Sequence, residues 1–388
     1  MGGTGIALRP NFNLNISNPA SYSALLLTEF DIALSTSFTR MSTSSLSQKK
    51  SETTFSYFAL GFPVVSKKWG AALGLVPFSN VGYKIVSPGT DANAGDILYT
   101  YEGTGGINRL FIGNGFTIKK NLSAGFHASY LFGSLDRISR AEFSGSSFFN
   151  SRFTSNTLIH DFYFDYGLQY VFDSIAHHPK NDTTNSKVKS DWSLSFGLTG
   201  SVPGNISASQ DSLTELYQST GNFIIVRDTI LDKTGDKGNI KLPLTLGFGV
   251  SLKKGSRWLI AAEASMQNWK DYSYFGQKDS LRNSLRVSSG FQYTPNDRGI
   301  QSYWQTVQYR LGAFYNQSYL QLRGTKLNEY GITAGLGLPI RKGLSAIQLA
   351  AMLGTRGTTD NNLIKEDFVR ISIGFTFTDH WFIKPKYE

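Results

Sequence analysis

Four short turns rich in lysine and arginine separate apolar segments, and they constrain the fold more than any other feature of this chain. Their basic pairs are Lys67-Lys68, Lys119-Lys120, Lys253-Lys254 and Arg341-Lys342. The connections between successive turns of this kind are long and polar. Short turns at one end of a strand array and long loops at the other are typical of an outer-membrane β-barrel. The sequence therefore predicts a transmembrane protein crossed by strands.

The composition agrees with one continuous barrel rather than with several soluble domains. Among the 388 residues, 14% are aromatic, only 17% are charged and 39 are glycines. A barrel needs aromatic girdles, few charges facing lipid and small residues where strands bend.

No apolar run is long enough for a transmembrane helix. The absence of cysteine excludes disulfides and thiolate metal sites. We interpret the net charge of +10 as a source of attraction to phosphate headgroups. We expect no nucleic-acid partner, because the sequence contains no motif for one.

The alternation of apolar and polar residues along the chain predicts the positions of the strands. Between Val369 and Phe377, for example, every second residue is apolar and the residues between them are small or polar. The predicted strands are roughly 29–41, 53–65, 68–86, 98–118, 122–143, 158–172, 192–206, 241–252, 258–271, 283–294, 306–320, 329–340, 345–357 and 367–378. This count of about fourteen predicts an all-β, antiparallel up-and-down barrel with both termini and all four basic turns on the periplasmic side. In the longest outer loop, about 207–240, the apolar run Phe223–Val226 is expected to form an extracellular hairpin or lid. A soluble all-β protein is the alternative.

The first 28 residues do not read as a strand, so we divide the chain into an N-terminal segment, 1–28, and a barrel, 29–388. The segment is rich in glycine at its start, including Gly3, and then carries Asn18, Pro19 and Ala20 in succession. A fourteen-stranded barrel encloses more space than its own side chains fill. The segment is therefore expected to enter the lumen as a hatch or plug, with a disordered periplasmic arm as the alternative.

The glycine-rich start, the Asn-Pro-Ala tripeptide and the strands that follow resemble the FadL family of outer-membrane channels for hydrophobic molecules. The resemblance implies an apolar ligand near the extracellular end, a hatch that moves and, in some members, a gap in the barrel wall. Pro77 and Pro243 are expected to mark such a gap or a simple bulge, because proline cannot donate to a strand ladder. The C-terminal Asp379–Tyr387 resembles the tails of Bacteroidetes outer-membrane proteins, whose FadL-like members include PorV, a subunit of type 9 secretion.

Charged residues on the faces opposite the apolar ones are predicted to line the lumen. They are Asp31, Arg109, His127, Asp161, Asp165, Glu263, Arg286, Arg310 and Arg370. One interpretation is that opposite charges pair across the lumen and brace the barrel, since an unpaired buried charge is costly. The other is that an arginine such as Arg310 or Arg370 holds the carboxylate of a ligand through two hydrogen bonds.

Two functions of different classes follow. The first is a passive outer-membrane channel for hydrophobic small molecules such as fatty acids, working without a cofactor. The second is an accessory subunit that does not transport and binds another outer-membrane protein, such as the type 9 secretion translocon. An enzyme is disfavoured, because His127 is the only histidine expected in the lumen and no partnering serine is evident. The adjacent pair His177-His178 is interpreted as solvated turn residues rather than as a metal site.

Overall fold

The computed structural model describes residues 1–145, 148–173, 192–220, 223–296, 302–340 and 345–381. Its strands are β1 Thr28–Ser42, β2 Ser47–Val65, β3 Trp69–Asp91, β4 Gly95–Lys119, β5 Leu122–Phe143, β6 Asn150–Asp173, β7 Trp192–Ser201, β8 Asn205–Thr220, β9 Phe223–Lys241, β10 Thr245–Lys254, β11 Trp258–Gln267, β12 Ser273–Tyr274, β13 Gln277–Lys278, β14 Ser284–Tyr293, β15 Gln308–Leu322, β16 Thr325–Pro339, β17 Ala346–Gly357 and β18 Lys365–Asp379. Short 3-10 helices span Pro19–Ala24, Trp269–Asp271 and Asp360–Asn362, and one α-helical turn spans Tyr303–Thr306.

Fourteen of these strands form a closed antiparallel barrel, as the sequence predicts. They are β1–β7, β10, β11 and β14–β18, each paired with its neighbours around the wall. The barrel closes where β1 pairs with β18, from Thr28 opposite Asp379 to Ser42 opposite Lys365. Closure removes the free sheet edges that a membrane does not tolerate.

The two faces of the wall follow the alternation of the sequence. On β18, Ile371 and Ile373 point outward and are 47% and 44% exposed, whereas Thr376 points into the barrel and is buried. The same outward apolar pattern recurs around the wall, which gives the apolar belt of an outer-membrane β-barrel. Within the described ranges, no helix has the length and apolar character needed to cross a bilayer.

Strands β3–β6 rise well above the membrane on one side of the barrel. They are 22 to 25 residues long, about twice the 9–11 residues needed to span a bilayer. The β8–β9 hairpin extends this wall further, because β8 pairs with the upper half of β6. The predicted strand 122–143 coincides with β5 and 98–118 nearly covers β4, but the predictions were too short at the extracellular ends of β2, β3 and β6. The polar upper segments of these three strands, such as Ser47–Ser51 of β2, were assigned to loops but are extracellular strand.

One predicted strand, 192–206, is broken in the structure. β7 ends at Ser201 and β8 begins at Asn205, so Pro203 falls in the break. The predicted hairpin at 207–240 is present as β8 and β9, with Phe223–Val226 at the start of β9. Three features discussed above lie outside the described residues: the basic turn Arg341-Lys342, the pair His177-His178, and the C-terminal tail beyond Trp381.

Candidate functional site

Residues 1–27, which we name the plug segment, lie inside the barrel. Gly2 N donates to Thr333 Oγ1 on β16 at 2.8 Å. Gly5 N and Ile6 N both donate to Glu263 Oε2 on β11, at 2.8 and 2.9 Å. The far end of the segment contacts β3–β6. Because β11 and β16 lie across the lumen from β3–β6, the plug segment spans the lumen.

Asn18 organises the turn that carries the Asn-Pro-Ala tripeptide. Its Oδ1 accepts a hydrogen bond from Ala20 N at 3.1 Å and caps the 3-10 helix Pro19–Ala24. Its Nδ2 donates to Ile6 O at 2.8 Å within the plug segment and also reaches the carbonyl oxygens of Leu168 and Leu198 in the wall. Asn18 and every residue of the helix are buried. One side chain therefore shapes the turn and ties it to β6 and β7.

Four directly opposed glycines on β3–β6 form the seat of this turn; we call them the glycine row. They are Gly70, Gly115, Gly125 and Gly167. A methyl group built on Gly167 would lie 2.0 Å from Asn18 Oδ1, and one on Gly125 would lie 2.5 Å from the carbonyl carbon of Pro19. No side chain fits at these distances. The row exists because the plug backbone rests directly on the backbone of the wall.

A buried polar network sits beside the glycine row. Tyr22 Oη lies 2.7 Å from His127 Nε2, and His127 Nδ1 lies 2.6 Å from Asp165 Oδ1. Arg109 Nη2 forms an ion pair with Asp165 Oδ2 at 2.8 Å, and Arg109 Nε donates to Ser129 Oγ. Burial raises the pKa of the Tyr22 hydroxyl well above its usual range, so the hydroxyl stays protonated and donates to His127.

The network brings together three of the residues predicted to line the lumen, Arg109, His127 and Asp165, and connects them to the plug segment through Tyr22. The Arg109–Asp165 ion pair joins β4 and β6 along one side of the wall rather than across the lumen. Because Tyr22 belongs to the plug segment, the same network also anchors the plug. The plug is therefore attached to β4–β6 by polar contacts as well as by backbone packing.

Two more predicted lumen residues bind the start of the plug segment. Glu263 accepts the two backbone N–H groups described above. Arg286 Nη2 donates to Gly2 O at 3.1 Å, and its guanidinium lies 4.8 Å from the centre of the Phe314 ring. Gly3 has φ +88°, a conformation that favours glycine, and Arg286 Nη2 lies 3.1 Å from where its Cβ would be. These charges therefore hold backbone groups rather than opposite charges.

Arg310 lies at the centre of a glutamine cluster on the other side of the lumen. Its guanidinium donates to Gln292 Oε1 at 2.8 Å, to Gln348 Oε1 at 2.6 Å and to Gln308 Oε1. Gly335 and Gly337 on β16 leave room for this side chain to cross from β15 to β17. All three partners are neutral, so the positive charge of Arg310 is not cancelled within the cluster.

A cavity of about 1790 Å³ lies beside the plug segment; it follows the β15–β18 wall and extends to the periplasmic ends of β4, β7, β10 and β11. Arg310, Arg370 and Asp31 line it. Asp31 is buried, and its Oδ1 has no hydrogen-bond partner among the described residues. Arg370 is exposed and lies 6.0 Å from the Phe368 ring centre. The predicted lumen residues on this side thus face open space instead of the plug.

Asp161 has a different role from the one predicted. Its Oδ2 accepts a hydrogen bond from Ser207 N at 2.7 Å, next to the break between β7 and β8. The carboxylate replaces a missing ladder partner there. The second break, around Pro243, is bridged by Leu242 N to Gly204 O at 2.9 Å and Thr245 N to Ser201 Oγ at 3.0 Å. The wall stays closed at both breaks.

Among the residues that the structure describes, the wall is open next to Pro77. The ladder between β2 and β3 runs upward to Phe58 opposite Leu75 and then stops in the described chain. Above this pair, β2 pairs only with β1, and β3 pairs only with β4 through a bulge at Pro77. Two side-chain hydrogen bonds reconnect the strands higher up, Asn80 Nδ2 to Glu52 Oε1 at 3.1 Å and Lys50 Nζ to Gly82 O at 3.3 Å. We name the opening between these limits the β2–β3 slit.

Sequence reasoning missed several residues that build this site. Tyr22, Thr333 and the glutamines around Arg310 are neutral and were not considered when charged residues were sought. A usable signal for the glycine row was present. Glycines recur at inward positions of neighbouring strands, for example in Gly113-Asn114-Gly115 of β4. Inward glycines on adjacent strands indicate that another backbone approaches the wall.

Comparisons with solved structures agree with this architecture. The chain is similar to the CymD monoaromatic hydrocarbon channel, with 12% identity, coverage of 97% of this chain and 95% of that one, and a TM-score of 0.61. It is also similar to the P. putida toluene transporter TodX (14% identity, 94% and 93% coverage, TM-score 0.59) and to a Pseudomonas aeruginosa FadL homologue (12%, 96% and 94%, 0.53). At these identities the likeness establishes the fold, a FadL-like barrel.

A comparison with curated proteins finds no match. The family model named BamG matches residues 1–388, which is the full length of the sequence. The protein, an outer-membrane β-barrel with a FadL-like fold, therefore belongs to the BamG family.

Proposed function

We propose that the protein is a passive channel that lets hydrophobic small molecules cross the outer membrane. The observation that carries this proposal is the β2–β3 slit. An unpaired stretch of ladder in a barrel wall is unfavourable, because each lost pairing exposes backbone polar groups. A slit that opens toward the outward apolar side chains of β1, such as Leu34 and Phe38, gives an apolar solute a way out to lipid.

The interior supports a route to that slit. Phe78 follows the bulge and packs edge-on against Tyr163 of β6, with ring centres 5.6 Å apart. These two rings form an apolar surface above the polar network, at the height of the slit. Below them the plug segment and its anchors obstruct the direct path along the barrel axis. A hydrophobic solute entering from outside is therefore directed sideways, driven by its concentration gradient.

The plug segment acts in this proposal as a hatch, and the cavity beside it is a second path. Arg310 has three neutral hydrogen-bond partners and keeps its positive charge facing the cavity. This arrangement suits the carboxylate of a fatty acid. Fatty acids are therefore one proposed substrate class, and the TodX and CymD likeness supports uncharged aromatic solutes as another.

The slit is tested by linking its edges. The chain has no cysteine, so Ser56→Cys on β2 and Pro77→Cys on β3 introduce the only thiols. A short bis-methanethiosulfonate reagent, which joins the two cysteines through reducible disulfides, is expected to abolish uptake of radiolabelled toluene or oleate into cells, because the slit can no longer widen. Adding a reductant should restore uptake to the rate of the unlinked protein.

The matched control places the same link where the wall is already closed. Leu336 and Leu349 are direct neighbours in the β16–β17 ladder, so Leu336→Cys and Leu349→Cys should be linked without changing uptake. Full uptake through a protein linked across the β2–β3 slit would contradict the proposed lateral route. Absence of uptake in every variant, including the unmodified protein, would contradict transport itself.

One observation favours the second function, an accessory subunit of an outer-membrane complex. The edge of β9 facing away from β8 has no strand partner between Phe223 and Lys237 in the described chain. Phe223, Ile224 and Ile230 on this strand are 76%, 56% and 61% exposed. An unpaired strand edge that begins with exposed apolar residues is a template for pairing with another protein. Purification in mild detergent distinguishes the two functions. A stoichiometric protein partner that is lost when residues 212–234 are deleted supports an accessory subunit. A bound apolar compound without a protein partner supports a channel.

A further inference from the structure

A groove of about 830 Å³ runs along the outer surface of the barrel across β1 and β16–β18. Its floor is a row of outward side chains that are direct neighbours around the wall: Ile332, Leu353, Val369 and Phe38. All four are exposed, from 38% for Val369 to 60% for Ile332. We call them the apolar row. Nothing in the plug segment or the lumen uses this surface.

Directly above the apolar row, the outward side chains of the same strands and of the adjacent β2 become polar. Tyr330, Thr355, Asp367, Arg40 and Lys49 are direct neighbours around the wall in that order. We call them the polar row. The first four are each two residues nearer the extracellular end than the apolar-row residue of their strand, a rise of about 7 Å, and Lys49 lies beside Arg40 on β2. The change from apolar to polar side chains places the upper boundary of the bilayer between the two rows.

Two cations in the polar row, Arg40 and Lys49, stand opposite each other, with a single acid of that row, Asp367, next to Arg40. Arg40 pairs in register with Lys49, and like charges in this position repel. Within the described chain, neither side chain forms an ion pair within 4.0 Å. The nearest acid, Asp367, is engaged elsewhere: it accepts from Thr355 Oγ1 at 2.7 Å and pairs with Lys365 Nζ at 3.2 Å. The outer surface therefore holds a cationic pair directly above an apolar groove.

We propose that this groove binds one phosphorylated glycolipid of the outer leaflet, of the lipid A type. Its acyl chains lie on the apolar row, and its phosphate is held between Arg40 and Lys49. Three features select this occupant. The groove faces lipid, its apolar part lies on the bilayer side of the boundary, and its charged part lies at headgroup height with the sign that attracts phosphate. A cationic pair facing lipid at the outer boundary is costly without an anion and favourable with one.

The test compares retained lipid in matched variants purified from outer membranes. Native mass spectrometry of the unmodified protein is expected to show one phosphorylated glycolipid per chain. The double variant Arg40→Ala, Lys49→Ala should lower affinity for this lipid in nanodiscs by about 30-fold, or about 2 kcal/mol. The control Lys67→Ala, Lys68→Ala removes the same charge at the periplasmic end and should leave retention unchanged.

Three further outcomes separate this proposal from its competitors. Dephosphorylated lipid A should bind the unmodified protein and the double variant equally, because the phosphate is the group that they distinguish. Competition by inorganic phosphate alone would show a free-anion site and overturn the proposal. A photoreactive residue placed at Leu353 should capture glycolipid. Capture of a protein there, or equal lipid retention by all variants, would also overturn it.

Discussion

Replacing Gly125 with alanine is expected to release the plug segment from its seat while the barrel itself still forms. The new methyl group would lie 2.5 Å from the Pro19 carbonyl carbon and 2.6 Å from Ala20 N, both backbone atoms that cannot rotate away. Overpacking of this kind costs about 3 kcal/mol, which lowers the ratio of docked to undocked plug roughly 100-fold. Single-channel conductance in planar bilayers should rise, and a cysteine introduced at the buried Ala24 should react faster with maleimide.

The control is another inward glycine of the same wall. A methyl group on Gly374 of β18 would meet its nearest atoms at 3.5 Å, an ordinary contact distance. Gly374→Ala should therefore match the unmodified protein in conductance and in maleimide labelling. If Gly125→Ala also matched it, the glycine row would not be the seat of the plug.

Replacing Asp165 with asparagine is expected to lower the free energy of unfolding by about 3 kcal/mol, because the Arg109 guanidinium loses its counter-charge in a mostly buried site. The two side chains are 18% and 20% exposed, so solvent replaces little of the lost interaction. His127 also loses a carboxylate partner, and its contact with Tyr22 should weaken in turn. Urea unfolding of the folded barrel in lipid vesicles measures the loss.

An ion pair at the extracellular rim provides the comparison. Lys50 and Glu52 are 43% and 38% exposed and lie 2.9 Å apart. Such exposed pairs contribute about 1 kcal/mol or less. Glu52→Gln should therefore lower the free energy of unfolding far less than Asp165→Asn does. Equal shifts would show that the network around His127 contributes no more than a surface pair.

The fold was largely predictable from sequence, because a membrane forces period-two alternation onto each crossing strand. The last strand, predicted at 367–378, is Lys365–Asp379 in the structure. The extracellular ends of β2, β3 and β6 were not predicted in full. Above the bilayer no lipid selects apolar residues, so Lys49, Lys50 and Ser51 of β2 do not alternate in a way that distinguishes strand from loop.

The site was predictable only as a set of inward charges. The alternation along β4–β6 predicts Arg109, His127 and Asp165 on the lumen side, and the register of the three strands brings their side chains together. The alternation of residues along a strand predicts which side chains point inward, but it does not predict what an inward charged side chain contacts. Glu263 and Arg286 bind plug backbone, and Asp161 completes a broken ladder. These roles depend on the path of residues 1–27, which no periodicity specifies.

The plug segment also has a consequence for the order of folding. It comes first in the chain, yet its binding groups are spread from Gly70 on β3 to Thr333 on β16. Contacts between Gly2 and Thr333 are separated by 331 residues, so the entropy of closing that loop is lost before the contact contributes. The plug segment is therefore expected to dock only after the barrel strands that hold it have paired, although it precedes all of those strands in the chain.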